Sequence, residues 1–163
     1  MITKFKGKWL SNFWPVQVAL DGMEFPSVEH AYVAAKTLDE QAREKIRQLP
    51  TAADAKRFGK RIGRTIPLRP AWSDAFRTEL MRGLLMQKFT NPELRQQLIA
   101  TGDEQLIESN HWHDNWFGRC KCSRCGGQGR NMLGVLLMEI RQQCRSQDAS
   151  IVIAENWKLD HAA

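Results

Sequence analysis

The 163-residue chain carries 24 lysines and arginines against 18 acidic residues, a net charge of +6, and its sequence pI is about 9.4. With 42% hydrophobic and 26% charged residues, it has the composition of a folded domain rather than of a disordered chain. No apolar run approaches the ~20 residues of a membrane span, and MITKFKGKWLSNFW has no apolar leader segment. The expectation is one soluble, cytoplasmic domain over residues 1–163, with its core at 5–145 and a C-terminal tail at 146–163. The basic balance favours phosphate-bearing ligands or nucleic acid as partners, although a solvated basic face gives the same net charge.

In chain order, WLSNFWPVQVALDGMEFP has alternating apolar residues on either side of Asp21-Gly22, which predicts a small β-hairpin. From Ser27 the period changes. Val28, Ala31, Tyr32 and Ala35 form a helical stripe, and LDEQAREKIRQL continues at helical spacing. Thr51 caps a short basic helix, TAADAKRFGKRIG, that Gly63 would end. SDAFRTELMRGLLMQKF predicts a long amphipathic helix, and Asn91-Pro92 starts another. DEQLIESN reads as extended, HWHDNWFGRCKCSRCGGQGR as a loop, and NMLGVLLMEIRQQC as a core helix. SIVIAENWKLDHAA reads as a short β-like segment and a tail. The sum is a predominantly helical α+β fold with a small N-terminal β-hairpin.

Within SVEHAYVAAK, Glu29 and Lys36 stand seven residues apart, about 20° short of two full turns, so both project from one helix face. That is too far for a direct ion pair, and the two groups converge only on something lying across the face. From spacing alone the pair reads as a solvated charged stripe; chemistry needs support from elsewhere in the chain. The loop supplies Cys120, Cys122 and Cys125 as C-x-C-x2-C, with His111, His113 or Cys144 as a fourth zinc ligand. Paired CxxC spacing is lacking, so reduced thiols are favoured and structural zinc is the alternative; no cofactor is required.

The ordered motifs LSNFWP (10–15), SVEHAYVAAK (27–36), LRPAW (68–72), QKFTNPELRQQLIATGD (87–103), LIES (106–109), DNWFG (114–118) and GRNMLGVLLMEIR (129–141) resemble the NADAR family, also called YbiA-like. The resemblance spans nearly the whole domain. It implies a compact, mainly helical α+β fold and N-glycosidase activity on bonds between ribose and a nucleobase. Two substrate classes come with it: phosphoribosylamino-pyrimidine intermediates of riboflavin synthesis, and ADP-ribose attached to guanine in nucleic acid. The lysine of its EHxxxxxK motif falls on Lys36, which would capture the opened sugar as a Schiff base. Glu29 is then the general acid/base or lysine activator, and Asp114 the second carboxylate.

Matching positions Asn12, Phe13, Tyr32, Trp116 and Phe117 are candidates to line the substrate pocket, against a core role for any one of these aromatics. Arg69, and with it Lys60 or Arg61, is a candidate phosphate contact, a surface salt bridge being the alternative. Asn131 is read as capping the last helix or reaching the pocket, and Gly134 as permitting close packing. The family pattern after its aspartate is aromatic, tryptophan, glycine; here Trp116-Phe117-Gly118 exchanges the two aromatics, which bears on substrate identity. The competing functional reading is a noncatalytic module that binds ADP-ribose-like ligands or nucleic acid through the basic surface.

Overall fold

The computed structural model describes residues 2–4 and 9–146. In chain order the elements are β1 (Ile2–Lys4), β2 (Val18–Leu20), β3 (Met23–Phe25), α1 (Val28–Ala35), α2 (Glu40–Arg47), α3 (Ala52–Phe58), a 3₁₀ turn (Gly59–Arg61), α4 (Asp74–Lys88), α5 (Pro92–Ala100), β4 (Gln105–Ile107), β5 (Ser109–Asn110), β6 (Arg119–Cys120) and α6 (Met132–Ser146). This is the helix-rich α+β class and the hairpin that the sequence predicts. The β-like segment expected in SIVIAENWKLDHAA lies outside the described residues. Among the described residues no helix is long and apolar enough to cross a membrane. They group into two compact units, 12–88 and the remainder.

In the 12–88 unit, the β2–β3 hairpin pairs Val18 with Phe25 and Leu20 with Met23. Its turn places Asp21 at φ 50° and Gly22 at φ 79°, the left-handed pair that a tight hairpin requires. Helix α1 begins at Ser27, whose Oγ accepts the His30 backbone N–H at 3.2 Å. It packs against α2, α3, α4 and both hairpin strands. Val28, His30, Ala31, Tyr32, Val33, Ala34 and Ala35 are all buried, so α1 has no broad solvent face. Alanines on three of its positions let neighbours come close. At Gly59 a Cβ would lie 2.9 Å from Val33 Cγ1, which fixes the end of α3 against α1. Burying Val28, Val33 and Tyr32 stabilises the unit by roughly 1.5–3 kcal/mol each.

Two boundaries differ from the sequence expectation. The helical period runs on past Lys36, yet α1 stops and α2 restarts after Asp39, whose Oδ1 accepts the Ala42 N–H at 2.9 Å. The break is held by a tertiary contact: buried Arg43 donates from Nε to the carbonyls of Ala34 (3.3 Å) and Thr37 (2.9 Å). Helix α3 ends at Phe58 rather than at Gly63; the chain tightens into the 3₁₀ turn, and Gly63 at φ 85° forms the next turn. Helix α4 is tied to β2 by Gln87, whose side-chain amide accepts from and donates to the backbone of Ala19 at 2.7 and 2.9 Å.

In the other unit, β1 and β4 run parallel with Thr3 opposite Leu106, and β5 and β6 run parallel with Asn110 opposite Cys120. Strand β5 falls in the segment read as extended, whereas β6 lies inside the segment that reads as loop. Asn91 caps α5 through two backbone N–H groups at 3.1 Å, with Pro92 at its first position. Helix α6 packs on β4 and α5. A Cβ at Gly134 would collide with the Leu106 carbonyl and the Asn131 amide, so this glycine allows the helix to approach β4 closely.

Lys88, the last residue of α4, is wholly buried, and burial pushes its ammonium down to about 7 from the usual lysine range. Between that value and the unfolded pKa of ~10.4 the unfolded chain binds more protons than the folded one, so stability rises with pH through this window; below it both states carry the proton and the penalty stays constant. Urea titrations at pH 7 and pH 10 should show the wild type gaining on the order of 3–4 kcal/mol relative to Lys88→Met, which lacks the titrating group. Parallel pH dependence in the two proteins would mean that the ammonium is stabilised in the fold.

Candidate active site on the buried helix

In an otherwise buried helix, Glu29 and Lys36 are the half-exposed positions between Val28 and Lys36. A solvated stripe therefore does not describe them: they are charged groups at the two ends of an apolar rod, about 10 Å apart along its axis. Glu29 sits in the first turn, where the helix dipole favours an anion, and its N–H donates to the Asn12 carbonyl at 3.0 Å. Lys36 is the C-cap, with its N–H on the Val33 carbonyl at 3.2 Å and its ammonium 5.3 Å from the centre of the Tyr32 ring. His30, between them in sequence, is structural. Its Nε2 lies 3.1 Å from the Leu49 carbonyl, which can only accept, so Nε2 carries the proton and Nδ1 takes the Ser27 hydroxyl at 2.7 Å. Burial lowers its pKa, consistent with a neutral ring.

The C-terminal end of α1 rests on two buried arginines and one aspartate. The Arg69 backbone N–H donates to the Lys36 carbonyl at 2.7 Å, joining the LRPAW segment to the lysine. Arg43 pairs with Asp21 at 2.9 Å, and Arg69 Nη2 lies 3.9 Å from the same carboxylate. The guanidinium groups are 8% and 5% exposed, and one carboxylate cannot neutralise both. Burial, then repulsion from Arg43, lowers the pKa of Arg69, with attraction to Asp21 opposing. Arg43 Nη2 and Arg69 Nε and Nη2 are buried without a hydrogen-bond acceptor among the described residues. Each such donor costs about 1–3 kcal/mol, more for a charged group, which makes the cluster a candidate anion site. Arg69 is thus not the surface salt bridge of the alternative reading. Arg43 was not identified from sequence; it reads there as one charge of a charged helix.

Aromatic rings line this end. Tyr32 meets Trp72 at 5.6 Å between centroids, Trp72 meets Phe76 at 5.7 Å, and the Arg69 guanidinium lies 5.1 Å from the Phe76 ring centre. Asn12 donates to the Met81 sulfur at 3.5 Å, and its buried Oδ1 has no donor among the described residues. Phe13 is 39% exposed beneath the Lys56 ammonium. Lys60 and Arg61 are exposed on the 3₁₀ turn, and Arg61 stacks on Phe58. Thus the 12–88 unit brings together Asn12, Glu29, Tyr32, Lys36 and Arg69.

The remaining candidates belong to the other unit. Asp114 Oδ1 accepts the N–H groups of Trp116 (3.1 Å) and Phe117 (3.0 Å), so this carboxylate builds the DNWFG turn. Trp116 is half-exposed under the Arg130 guanidinium, whereas Phe117 is buried at 6%. The exchanged aromatics therefore take different places, one at the surface and one in the core. Asn131 does not cap α6 with its side chain, which is a correction. At φ 54° it turns its amide onto β4, accepting the Glu108 N–H at 2.9 Å and donating to the Leu106 carbonyl at 2.8 Å.

The sequence pattern of the NADAR domain matches residues 3–145. An N-glycosidase YbiA of Shigella boydii is 40% identical over 136 residues, covering 82% of this chain and 79% of that protein. A riboflavin biosynthesis protein of Vibrio vulnificus is 37% identical over 136 residues, covering 83% of this chain and 35% of its own length. The solution structure of Escherichia coli YbiA is similar in fold, with a TM-score of 0.72 at 35% identity over 89% of this chain and 85% of that one.

Anion binding by the arginine cluster can be tested without a substrate. Inorganic phosphate should raise the Tm of the wild type over a chloride control of equal ionic strength, reaching about 2.7 kcal/mol of stabilisation at a hundredfold excess over Kd. Arg69→Gln should remove the shift and a Lys60→Gln, Arg61→Gln double variant should keep it. The opposite pattern would move the anion to the exposed turn.

Proposed function

This chain belongs to the NADAR domain family, and from that premise we propose that it is an N-glycosidase hydrolysing the C–N bond between a phosphorylated ribose and a nucleobase or aminopyrimidine. The observation that carries the phosphate is the buried, net-positive Arg43–Asp21–Arg69 cluster, held against the backbone of Lys36. The bond type follows the names of the similar proteins, N-glycosidase and riboflavin biosynthesis protein. A phosphoribosylamino-pyrimidine is the favoured substrate, and an ADP-ribosyl guanine conjugate offers the same phosphate and ribose chemistry.

In this reading the sugar lies across α1, its phosphate on Arg43 and Arg69. Glu29 protonates the ring oxygen or the departing nitrogen, and the neutral Lys36 amine adds to the anomeric carbon. The C–N bond to the base breaks, the base leaves with a proton, and a protonated imine joins the sugar to Nζ. Water adds to that imine, the sugar leaves, and the amine and the carboxyl proton are restored. The net change is one water consumed per bond cleaved. Tyr32, Trp72 and Phe76 offer π-faces to the sugar and base, and the buried Asn12 Oδ1 offers an acceptor for a sugar hydroxyl.

Lys36→Ala should lower kcat at least a thousandfold, on the order of 4 kcal/mol of transition-state stabilisation, and Lys36→Arg should fail equally, since a guanidinium stays protonated. Glu29→Gln should lower kcat far more than it raises KM. Both substrate classes are offered, released base and sugar are detected by mass spectrometry, and borohydride added during turnover should leave a reduced sugar-phosphate adduct on Lys36. Turnover by Lys36→Arg with no trapped adduct would refute the covalent route; binding of both substrates without product would favour the noncatalytic module.

A further inference from the structure

We propose that His113, Cys120, Cys122 and Cys125 form a structural zinc site that folds the loop between β5 and α6. The four ligand atoms lie within 4.8 Å of one another. His113 Nδ1 is 3.3 Å from the Cys125 sulfur and 3.5 Å from the Cys122 sulfur. Tetrahedral zinc with bonds of about 2.3 Å to sulfur and 2.05 Å to nitrogen would set these separations at about 3.6 Å. The sequence left His111, His113 and Cys144 open as the fourth ligand. The fold selects His113, while Cys144 is buried on α6 and His111 is outside the cluster.

The backbone has the form of a metal knuckle. Cys125 and Gly126 donate their N–H groups to the Cys122 carbonyl at 3.1 and 3.0 Å, and Cys125 N–H also lies 3.4 Å from the Cys122 sulfur. Gly126 and Gly127, at φ 60° and 84°, bring the chain back so that Gly127 N–H reaches the Cys120 carbonyl at 2.8 Å. The Asn115 side chain donates to the Cys125 sulfur at 3.4 Å, the kind of outer contact that steadies a thiolate ligand. His113 itself adopts φ 66°, a conformation that costs a non-glycine residue about 1–2 kcal/mol and aims its imidazole at the thiols.

The loop also needs what zinc supplies. Between residues 111 and 128 the buried hydrophobic residues are Phe117 and Cys120, too few to order the segment by burial. The four cysteines are thiols rather than disulfides. Three thiolates, one neutral imidazole and Zn²⁺ carry a net charge of −1, and Arg119, Lys121 and Arg124 flank the ligands in sequence to offset it. Four protein ligands leave no open position, so the ion is structural rather than catalytic. Because His113 precedes Asp114 and Asn115 reaches Cys125, the site would fix the turn that carries Trp116.

The test starts from the full chain purified without chelator. Metal analysis should find one zinc per chain, and cobalt exchange should give the strong visible d–d absorption of a tetrahedral, sulfur-rich site. A Cys122→Ser, Cys125→Ser variant should lose stoichiometric zinc, His113→Ala should bind it at least tenfold more weakly in chelator competition, and Cys144→Ser should be unchanged. Should the double variant fail to fold, zinc titration of chelator-treated wild type decides: binding should release protons and restore protease resistance to the loop at 111–128. Zinc that binds the wild type no more tightly than His113→Ala, or a cobalt spectrum of an octahedral oxygen-rich site, would overturn the proposal.

Discussion

The grip of Arg43 on the end of α1 is the contact on which the candidate site depends. Left to its own period, the chain would run helically through Lys36 into the next charged segment. Arg43 takes the carbonyls of Ala34 and Thr37 and stops it there, and its other end is fixed by Asp21 in the hairpin turn. Lys36 is thereby placed at a helix end instead of in a helix middle, where its carbonyl is open to the Arg69 N–H. One side chain thus sets the helix boundary and docks the hairpin turn beside it, while Arg69 reaches the lysine through its own backbone N–H. The associated cost is two buried guanidinium groups sharing one carboxylate.

Several of these features were legible in the sequence because they are local. Ser27, Thr51 and Asn91 cap helices through their own neighbouring N–H groups, and Asp21-Gly22 makes the hairpin through its own dihedral angles. The family resemblance picked out Glu29, Lys36 and Arg69. What was not legible is tertiary. Arg43 lies in a segment whose period and charge say only that it is helical, and its burial follows from contacts 6, 9 and 22 residues away. The break between α1 and α2, and the early end of α3 against Val33, come from packing that no local window contains. Asn131 was misread for the same reason: a helix-start asparagine normally caps, but β4 lies close enough to take its amide.

Burial also separates roles that motif matching merges. Within EHAYVAAK the histidine, although flanked by the two charged candidates, has both ring nitrogens engaged and is shielded from solvent, which makes it a core fastener. The tyrosine has an aromatic neighbour and the lysine over its ring, an arrangement that leaves the ammonium held by π-contact at the edge of the core. In DNWFG the aspartate closes a turn, the tryptophan stays at the surface and the phenylalanine enters the core. A motif therefore records positions that must be occupied in a fold as well as positions that touch a substrate.

The two arrangements of ionisable groups illustrate opposite solutions to buried or crowded charge. At α1 two guanidinium groups share the Asp21 carboxylate, and three of their donor nitrogens are buried without an acceptor among the described residues. In the 111–128 loop, soft ligands of potential negative charge converge with cationic side chains placed around them in sequence. If the proposed phosphate binds there, the first arrangement would be completed by a group that comes and goes, and its donors would remain undersatisfied in the free protein. The second, as the proposed zinc site, would hold a permanent partner, which would add to the turn hydrogen bonds of a loop with little apolar burial in offsetting the entropy of its ordering. The two proposals thus rest on different observations, undersatisfied buried donors at one place and converging soft ligands at the other.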